Sequence, residues 1–254
     1  MTKKFQSYII SMERSSERLK FISDRLNFLG LDFERIVATD GSLLNEDFKS
    51  RFSAARPRDG IRGWAPGQIG CFISHEAAWH AISKSNAEYG LVLEDDVHLS
   101  SDFRDVIRSD DWIPKEADLI RLEDTGQRLK LSCGQKAFGK RKIYKVGSAA
   151  WGAGGYIIRK ALAERLLDVD CSLHTPVDDF LFNLDKSSVS RTFSTYQLVP
   201  AVCIQDKFEN TSKSVKGFGS EIETGKVNMR LSYIPAIKRK IGSILYGKKK
   251  VGFL

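Results

Sequence analysis

The sequence predicts an α/β fold in which a mixed sheet is flanked by helices. Strand-like runs alternate with amphipathic, helix-like runs through most of the 254 residues, and this order is typical of sheets with helical crossovers. A hydrophobic content of 42% provides for a sizeable core. The first three elements form a β-α-β unit, which indicates a parallel, Rossmann-like start.

The β-α-β unit is the most regular part of the pattern. Residues 5–11 (FQSYIIS) predict a strand, residues 15–30 a helix, and residues 33–39 a second strand. A serine precedes the helix as a capping residue and a glycine follows its last turn. The apolar stripe of this helix consists of Leu19, Ile22, Leu26 and Leu29.

The middle of the chain predicts a loop, a helix and a buried strand. Residues 53–68 are rich in glycine, proline and arginine, which favours a mobile loop. Residues 69–85 predict a helix. Leu91–Leu93 predict a strand that is apolar on both faces and therefore buried.

The second half continues the alternation. Strands are predicted at 117–123, 141–146, 154–159 and 195–204, and helices at 160–169 and 175–185. The second and third of these strands flank a glycine-rich loop, so we expect them to pair. Thr175 is the expected cap of the last helix, and Pro176 its first residue.

Three carboxylates, Glu94, Asp95 and Asp96, follow the buried strand at once. Ligands in open α/β sheets bind beyond the carboxyl ends of the strands. Adjacent anions in a cleft repel one another, and a divalent cation reverses that repulsion. Oxygen ligands suit Mn²⁺ or Mg²⁺. The alternative interpretation is a solvated acidic turn that caps the next helix.

A second acidic pair, Asp178 and Asp179, lies at a predicted helix start. One interpretation is a favourable interaction with the helix dipole. The other is a general base that takes a proton from a sugar hydroxyl during metal-assisted group transfer.

Five segments in this order resemble glycosyltransferase family 25, the bacterial lipooligosaccharide galactosyltransferases related to collagen galactosyltransferase domains. The segments are IISMERSSERL (9–19), ATDG (38–41), GQIGCFISHEAAW (67–79), LVLEDDV (91–97) and PVDDFLF (176–182). The resemblance implies a GT-A-like fold, a UDP-sugar donor that is usually UDP-galactose, a divalent cation, and inversion at the anomeric carbon.

The resemblance also implies roles for the donor side of the site. The acidic trio matches the family's DxD equivalent, with Asp96 in direct metal contact and Glu94 or Asp95 assisting. The other predicted donor-binding residues are Arg14, Arg18, Asp40, Ser74, His75 and Gln205. The alternative interpretation of the two arginines is that they are solvated surface charges. For Asp40 it is a simple turn, and for Ser74 and His75 it is packing of the helix.

On the acceptor side, the resemblance and an analogy to other inverting enzymes imply a base in the PVDDFLF segment. Asp178 is the predicted base and Asp179 the residue that orients the acceptor, although the two roles could be exchanged. Trp151 could stack on a sugar face or belong to the core.

The chain end is basic and partly apolar, and the net charge of +8 favours anionic partners. We therefore predict a domain at 1–228 and a basic amphipathic helical segment at 229–254 that contacts an anionic membrane. Its alternative is a disordered, solvated tail. Its clearest cations are Lys238, Arg239, Lys240, Lys248, Lys249 and Lys250.

Together these features predict a transferase that acts on a lipid-linked oligosaccharide at the cytoplasmic face of the inner membrane. The scattered cysteines and the lack of a leader-like run favour the cytoplasm. His75 and His80 miss the HExxH spacing of zinc proteases, and no nucleic-acid motif is present. The alternatives are a UDP-glucose or UDP-N-acetylhexosamine donor, or a non-catalytic membrane- or polyanion-binding protein.

Overall fold

The computed structural model describes residues 4–53, 64–208 and 247–253. Its first half contains β1 (Phe5–Ser11), α1 (Ser16–Phe28), β2 (Glu34–Val37), α2 (Glu46–Ser53), α3 (Pro66–Lys84), β3 (Tyr89–Glu94), β4 (Val97–Leu99) and β5 (Leu119–Arg121). The remainder contains β6 (Glu123–Asp124), β7 (Arg128–Leu131), β8 (Gln135–Lys136), β9 (Lys142–Lys145), β10 (Gly155–Arg159), α4 (Lys160–Leu167), α5 (Val177–Phe182), β11 (Thr195–Val199), β12 (Cys203–Gln205) and β13 (Gly247–Lys250).

The main sheet is mixed, as the sequence predicts. Its strand order is β2-β1-β3-β10-β5-β11-β9-β8. The strands β2, β1 and β3 are mutually parallel, and β10 lies antiparallel between β3 and β5. Ile10 stands opposite both Ile36 and Glu94, so the three parallel strands end at the same edge.

Side chains point alternately to the two faces along the central strands, so a hydrophobic core lies on each face of the sheet. Tyr8 and Val92 point to the face that is covered by α3, α4 and α5. Ile9 and Leu91 point to the opposite face, where they pack with α1. Side chains of successive strand residues point to opposite faces, and the central strands are apolar on both because both faces are covered.

Two small sheets complete the described fold. One has the order β4-β12-β6, and the other pairs β7 with β13. The first small sheet brings β6, with Glu123 and Asp124, beside β12, which ends at Gln205. It therefore delivers polar side chains to the edge where β3 ends.

Several predictions about strand pairing and element bounds are wrong. The predicted pair at 141–146 and 154–159 does not form, because β9 pairs with β11 and β8 while β10 pairs with β3 and β5. The single strand predicted at 195–204 is two strands in different sheets, interrupted around Pro200, whose nitrogen has no hydrogen to donate. The helix predicted at 175–185 is the shorter α5, and the Thr175 hydroxyl makes no cap hydrogen bond.

The predicted loop at 53–68 and the basic segment at 229–254 lie largely outside the described residues. At the C-terminal end of the predicted loop, α3 begins at Pro66 rather than at residue 69. At the chain end, Gly247–Lys250 is a strand antiparallel to β7, so the helix prediction is wrong for these residues. No helix of the described residues is long and apolar enough to cross a bilayer.

Candidate active site

A cleft of about 400 Å³ lies where the parallel strands β1, β2 and β3 end. The segments that follow these strands line it, together with the first turns of α3 and the segment after β12. The carboxyl ends of parallel strands converge at one edge of a sheet, which is where α/β proteins bind ligands. The topology therefore builds this cleft.

Two glycines allow the wall of the cleft to close tightly. A Cβ atom on Gly41 would lie 1.7 Å from the Pro66 carbonyl oxygen, and one on Gly70 would lie 2.4 Å from the Thr39 oxygen. Both distances are far shorter than real contacts, so the loop after β2 and α3 approach one another backbone to backbone. Ser74 fastens the same junction, because its hydroxyl donates to the Gly70 carbonyl and accepts from the Thr39 amide.

All the residues predicted for metal and donor binding line this one cleft. They are Arg14, Arg18, Asp40, Ser74, His75, Glu94, Asp95, Asp96 and Gln205. Asp95 and Asp96 are buried, so the alternative of a solvated acidic turn is wrong. The structure gathers these side chains, and their individual roles stay predictions.

Each arginine of the cleft faces an aspartate. Arg14 pairs with Asp40, and Arg18 Nη1 lies 3.6 Å from Asp95 Oδ1. Hydrogen bonds from Ser42, with a further contribution from Arg14, hold the pKa of Asp40 below its usual value. These two pairs give the cleft one exposed guanidinium group, on Arg14, and one largely buried guanidinium group, on Arg18.

Glu94 and Asp96 are held differently. The Gln205 amide nitrogen donates to Glu94 Oε2 over 2.6 Å and to Asp96 Oδ1 over 3.4 Å. His75 Nε2 lies 3.2 Å from Glu94 Oε1. Within the described ranges, no lysine or arginine forms an ion pair with either carboxylate. Gln205 therefore bridges the two acids, and His75 contacts Glu94 alone.

The electrostatics of the two carboxylates reflect this arrangement. Burial, and then the charge of Glu94, raises the pKa of Asp96 to about 7. Burial also acts to raise the pKa of Glu94, but His75, Lys207 and Gln205 outweigh it and lower the pKa. The pair thus shares a buried volume that disfavours two negative charges.

His75 is fixed by a chain of buried hydrogen bonds. Its Nδ1 lies 2.9 Å from the Tyr156 hydroxyl, which accepts from Trp79 Nε1 over 3.0 Å. His75 is fully buried, and its ring stacks on that of Tyr156. The imidazole edge that faces Glu94 is consequently held in one orientation.

A second group of charges, the Arg121 cluster, lies beneath the loop between β9 and β10. We define it as Arg121, Glu123, Asp178 and the carbonyls of Trp151 and Gly152. Arg121 donates to these carbonyls over 2.6 and 3.0 Å, and to Gln197 Oε1 over 3.1 Å. Its side chain is 1% exposed, so the guanidinium is an internal cation.

Glu123 and Asp178 are the acids of this cluster. Glu123 lies 3.7 Å from Arg121, and burial raises its pKa to about 8. Asp178 Oδ2 accepts from the Gly152 amide over 3.4 Å, and burial, followed by the charge of Asp179, raises its pKa. Both carboxyl groups therefore bind protons more strongly than exposed acids do.

The predicted acceptor-side residues are not among the residues that line the cleft. Asp179 Oδ1 accepts from Asn183 within the α5 region over 2.5 Å. Trp151 is 57% exposed, so the alternative of a core tryptophan is wrong.

Burial and then the charges of Glu94, Asp178 and Asp96 raise the pKa of Cys71. Cys71 therefore lies within electrostatic reach of both acidic groups.

Several side chains of the site have no local sequence signal. Cys71 and Lys207 line the cleft, and Arg121, Glu123 and Tyr156 support it from beneath. Arg121 occurs in an otherwise ordinary apolar strand. The one available signal is that a charged residue inside a buried strand requires a partner.

The sequence comparisons agree with the resemblance. The family described as Glycosyltransferase family 25 (LPS biosynthesis protein) matches residues 4–181. The lipooligosaccharide biosynthesis protein lex-1 of Haemophilus influenzae is 29% identical over 252 residues, which cover 87% of this chain and 83% of that protein. The lipooligosaccharide biosynthesis protein lic2B of Haemophilus influenzae is 27% identical over 210 residues, 79% and 76% of the two chains. Procollagen galactosyltransferase 1-B of Xenopus laevis is 28% identical over 206 residues, 75% of this chain and 33% of that protein.

Proposed function

This chain belongs to glycosyltransferase family 25, and we propose that it transfers galactose from UDP-galactose to a saccharide hydroxyl of lipooligosaccharide or lipopolysaccharide, with inversion. Two relatives that are lipooligosaccharide biosynthesis proteins support this acceptor class. The relative that is a procollagen galactosyltransferase supports galactose as the sugar.

One observation carries the proposal. The half-buried Glu94 and the buried Asp96 line a cleft of about 400 Å³ without a lysine or arginine ion pair among the described residues. Arg14, Arg18 and Lys207 line the same cleft. Such a site suits a ligand that brings a diphosphate for the cations and a divalent metal for the acids.

The donor set fits Mn²⁺ or Mg²⁺. Glu94 and Asp96 supply carboxylate oxygens, and the carbonyl oxygen Gln205 Oε1 is buried without a hydrogen-bond partner. Hard divalent cations prefer such oxygen ligands. When bound, the metal would neutralise charge on the departing UDP.

The cations and the α3 terminus bind the donor. Arg18, which pairs with Asp95, attracts the diphosphate together with Lys207. Arg14 and Asp40 contact the uridine or the ribose. Ala65, Pro66 and Gly67 bring the amino end of the 19-residue α3 to the cleft. The positive end of the helix dipole favours phosphate there.

Asp178 is the proposed base. Its raised pKa makes the ionised carboxylate a better proton acceptor than an exposed aspartate. The acceptor oxygen forms a bond to the anomeric carbon as the bond to UDP breaks. The hydroxyl proton passes to Asp178, and UDP leaves with the bonding electron pair. Asp179 orients the acceptor, and the exposed Trp151 offers a ring for stacking.

Two alternatives and one location remain predictions. UDP-glucose or a UDP-N-acetylhexosamine would fit the same diphosphate site. A non-catalytic polyanion- or membrane-binding protein would bind its ligand through the basic chain end. The inner-membrane location depends on residues 229–254, most of which lie outside the described ranges.

The test is turnover of a panel of UDP-sugars with saccharide acceptors in Mn²⁺, Mg²⁺ or EDTA, with product linkage determined by NMR. We expect UDP-galactose to be consumed only with metal. Asp96→Asn should lower turnover at least about 100-fold, because the metal supplies several kcal/mol to the transition state. Asp24→Asn is the matched control, since Asp24 is exposed and pairs with the exposed Lys20. Full turnover by Asp96→Asn would exclude the metal assignment.

A further inference from the structure

One carboxylate in the cleft faces two different sets of groups. Glu94 Oε2 faces the Gln205 amide, which leads to Asp96. Glu94 Oε1 faces the opposite way, 3.2 Å from His75 Nε2 and 4.0 Å from Cys71 Sγ. The proposed metal uses the oxygen-rich side, and the proposed function leaves the Cys71 side unused.

The Cys71 side has the geometry of a metal-binding site. Cys71 and His75 are four residues apart on α3, so both project from the same face of the helix. The ligand atoms of Cys71, His75 and Glu94 all lie within 4.8 Å of one another. Cys71 and His75 also line the cleft, so an ion has access from solvent.

The chemistry of these three ligands differs from that of the oxygen side. A thiolate, an imidazole and a carboxylate suit Zn²⁺, which commonly takes three protein ligands and keeps one position open. Mn²⁺ and Mg²⁺ prefer oxygen ligands. The structure thus presents a zinc-like set beside an oxygen set, with Glu94 common to both.

The surroundings of His75 also match those of a metal ligand. Metal-binding histidines usually engage their second nitrogen in a hydrogen bond that fixes the ring. His75 Nδ1 faces the Tyr156 hydroxyl at 2.9 Å, and Trp79 Nε1 donates to that same hydroxyl. In the tautomer that carries its hydrogen on Nδ1, directed at Tyr156, His75 presents the Nε2 lone pair to Cys71 and Glu94.

We propose that Cys71, His75 and Glu94 bind one Zn²⁺ ion whose fourth position opens to the cleft. On binding, the Cys71 thiol releases its proton to solvent, and the thiolate, His75 Nε2 and Glu94 Oε1 each donate an electron pair to the ion. Glu94 is then shared and a second positive charge is close by. Zn²⁺ therefore weakens Mn²⁺ binding on the other side of the carboxylate and inhibits turnover. This last consequence rests on the proposed function, whereas the zinc site itself does not.

The first experiment uses Co²⁺ as the probe on the whole chain, with neither donor nor acceptor present. We expect a near-ultraviolet thiolate-to-cobalt absorption that saturates at one equivalent and disappears when Zn²⁺ is added. Cys71→Ser should abolish this absorption. Cys133→Ser is the matched control, because Cys133 is exposed and outside the cluster, and it should retain the absorption. Asp96→Asn should retain it too, since Asp96 belongs to the oxygen side.

A second measurement avoids dependence on a folded variant. Zn²⁺ should slow alkylation of Cys71 in the wild-type chain by about tenfold or more, because the bound thiolate is no longer a free nucleophile. The rates at Cys133 and Cys171, both exposed, should not change. Absorption that persists in Cys71→Ser, or an unchanged alkylation rate at Cys71, would refute the site.

The inhibitory consequence has its own assay. With Mn²⁺ and UDP-galactose, Zn²⁺ should lower turnover of the wild-type chain, and more Zn²⁺ should be needed for the same fractional loss in Cys71→Ser. Equal sensitivity of the two proteins would refute inhibition through this site. A chain that binds Co²⁺ as expected but consumes no UDP-sugar would contradict the proposed function and leave the zinc site standing.

Discussion

The cleft and the Arg121 cluster both bury carboxyl groups, but they compensate the charge in opposite ways. In the Arg121 cluster the cation is part of the chain, and Arg121 donates to the Gln197 side chain and to the carbonyls of Trp151 and Gly152. In the cleft, Glu94 and Asp96 share the Gln205 amide, and Glu94 also contacts the His75 imidazole. One region carries its own cation in the folded chain, while the other is suited to a charge that arrives with the ligand.

The charged groups of the Arg121 cluster are therefore expected to serve stability, and those of the cleft to serve ligand binding. Buried polar groups that are satisfied within the chain stabilise the fold. Buried like charges without a partner lower stability, and such groups persist where they serve a ligand. We therefore expect removal of a charge to have opposite effects on the stability of the two regions.

The largest expected change in the free energy of unfolding follows from a substitution in the Arg121 cluster. Arg121→Met should lower the free energy of unfolding by about 3–5 kcal/mol, because the buried Gln197 side chain and two carbonyls lose their donor and the buried Glu123 loses the cation beside it. Chemical denaturation at neutral pH measures the change. Arg108→Met is the control, since Arg108 is 82% exposed and lies 4.0 Å from Asp105. Its effect should stay within about 0.5 kcal/mol. A loss below about 1 kcal/mol for Arg121→Met would show that the internal cation is not needed.

The sequence predicts the cleft far better than the Arg121 cluster, and the reason is topological. Residues that follow parallel strands meet at one edge whatever the length of the intervening segments. Short segments after β1, β2 and β3 therefore converge, and the acidic trio and the two arginines are recognisable from the chain alone. Gln205 arrives through β12, which the sequence places in a longer strand.

The Arg121 cluster depends on long-range pairing that no local pattern specifies. Arg121 reaches Gln197, 76 residues away, and the carbonyls of Trp151 and Gly152, about 30 residues away. The Gln197 contact exists because β11 pairs with β5, and the carbonyl contacts exist because β10 inserts antiparallel between β3 and β5. The sequence instead favours pairing of β9 with β10, since hairpins are the local solution for two nearby strands. The helix α2 is also missed by the sequence pattern.

A smaller effect of opposite sign is expected in the cleft. The pKa of Asp96 is about 7 against an ordinary value of 3.8. The folded chain thus holds this proton more tightly than the unfolded chain, and stability falls as pH rises between these values. At pH 8 in EDTA, Asp96→Asn should therefore raise the free energy of unfolding by about 1–2 kcal/mol.

Binding of Mn²⁺ should reverse the order of stability of the wild-type chain and Asp96→Asn. Mn²⁺ should stabilise the wild-type chain and leave Asp96→Asn nearly unchanged, because ligands stabilise the state that binds them. Thermal unfolding in EDTA and in Mn²⁺ measures both effects. Asp24→Asn serves as the exposed control. Destabilisation by Asp96→Asn in EDTA would mean that the cleft is compensated within the chain, and the contrast with the Arg121 cluster would fail.

The smallest expected effect concerns Asp178, the acid of the Arg121 cluster that is the proposed base. Burial is the larger cause of the raised pKa of Asp178, and the charge of Asp179 adds to it. Asp179→Asn removes this second cause and preserves an oxygen for Asn183, so the pKa of Asp178 should fall. A base with a lower pKa is ionised at lower pH, and the acid limb of the kcat profile should therefore move to lower pH by about 0.5–1 unit. Asp178→Asn should instead abolish turnover across the whole range. If Asp179→Asn abolishes turnover and Asp178→Asn merely shifts the limb, the two roles are exchanged and the base lies outside the Arg121 cluster.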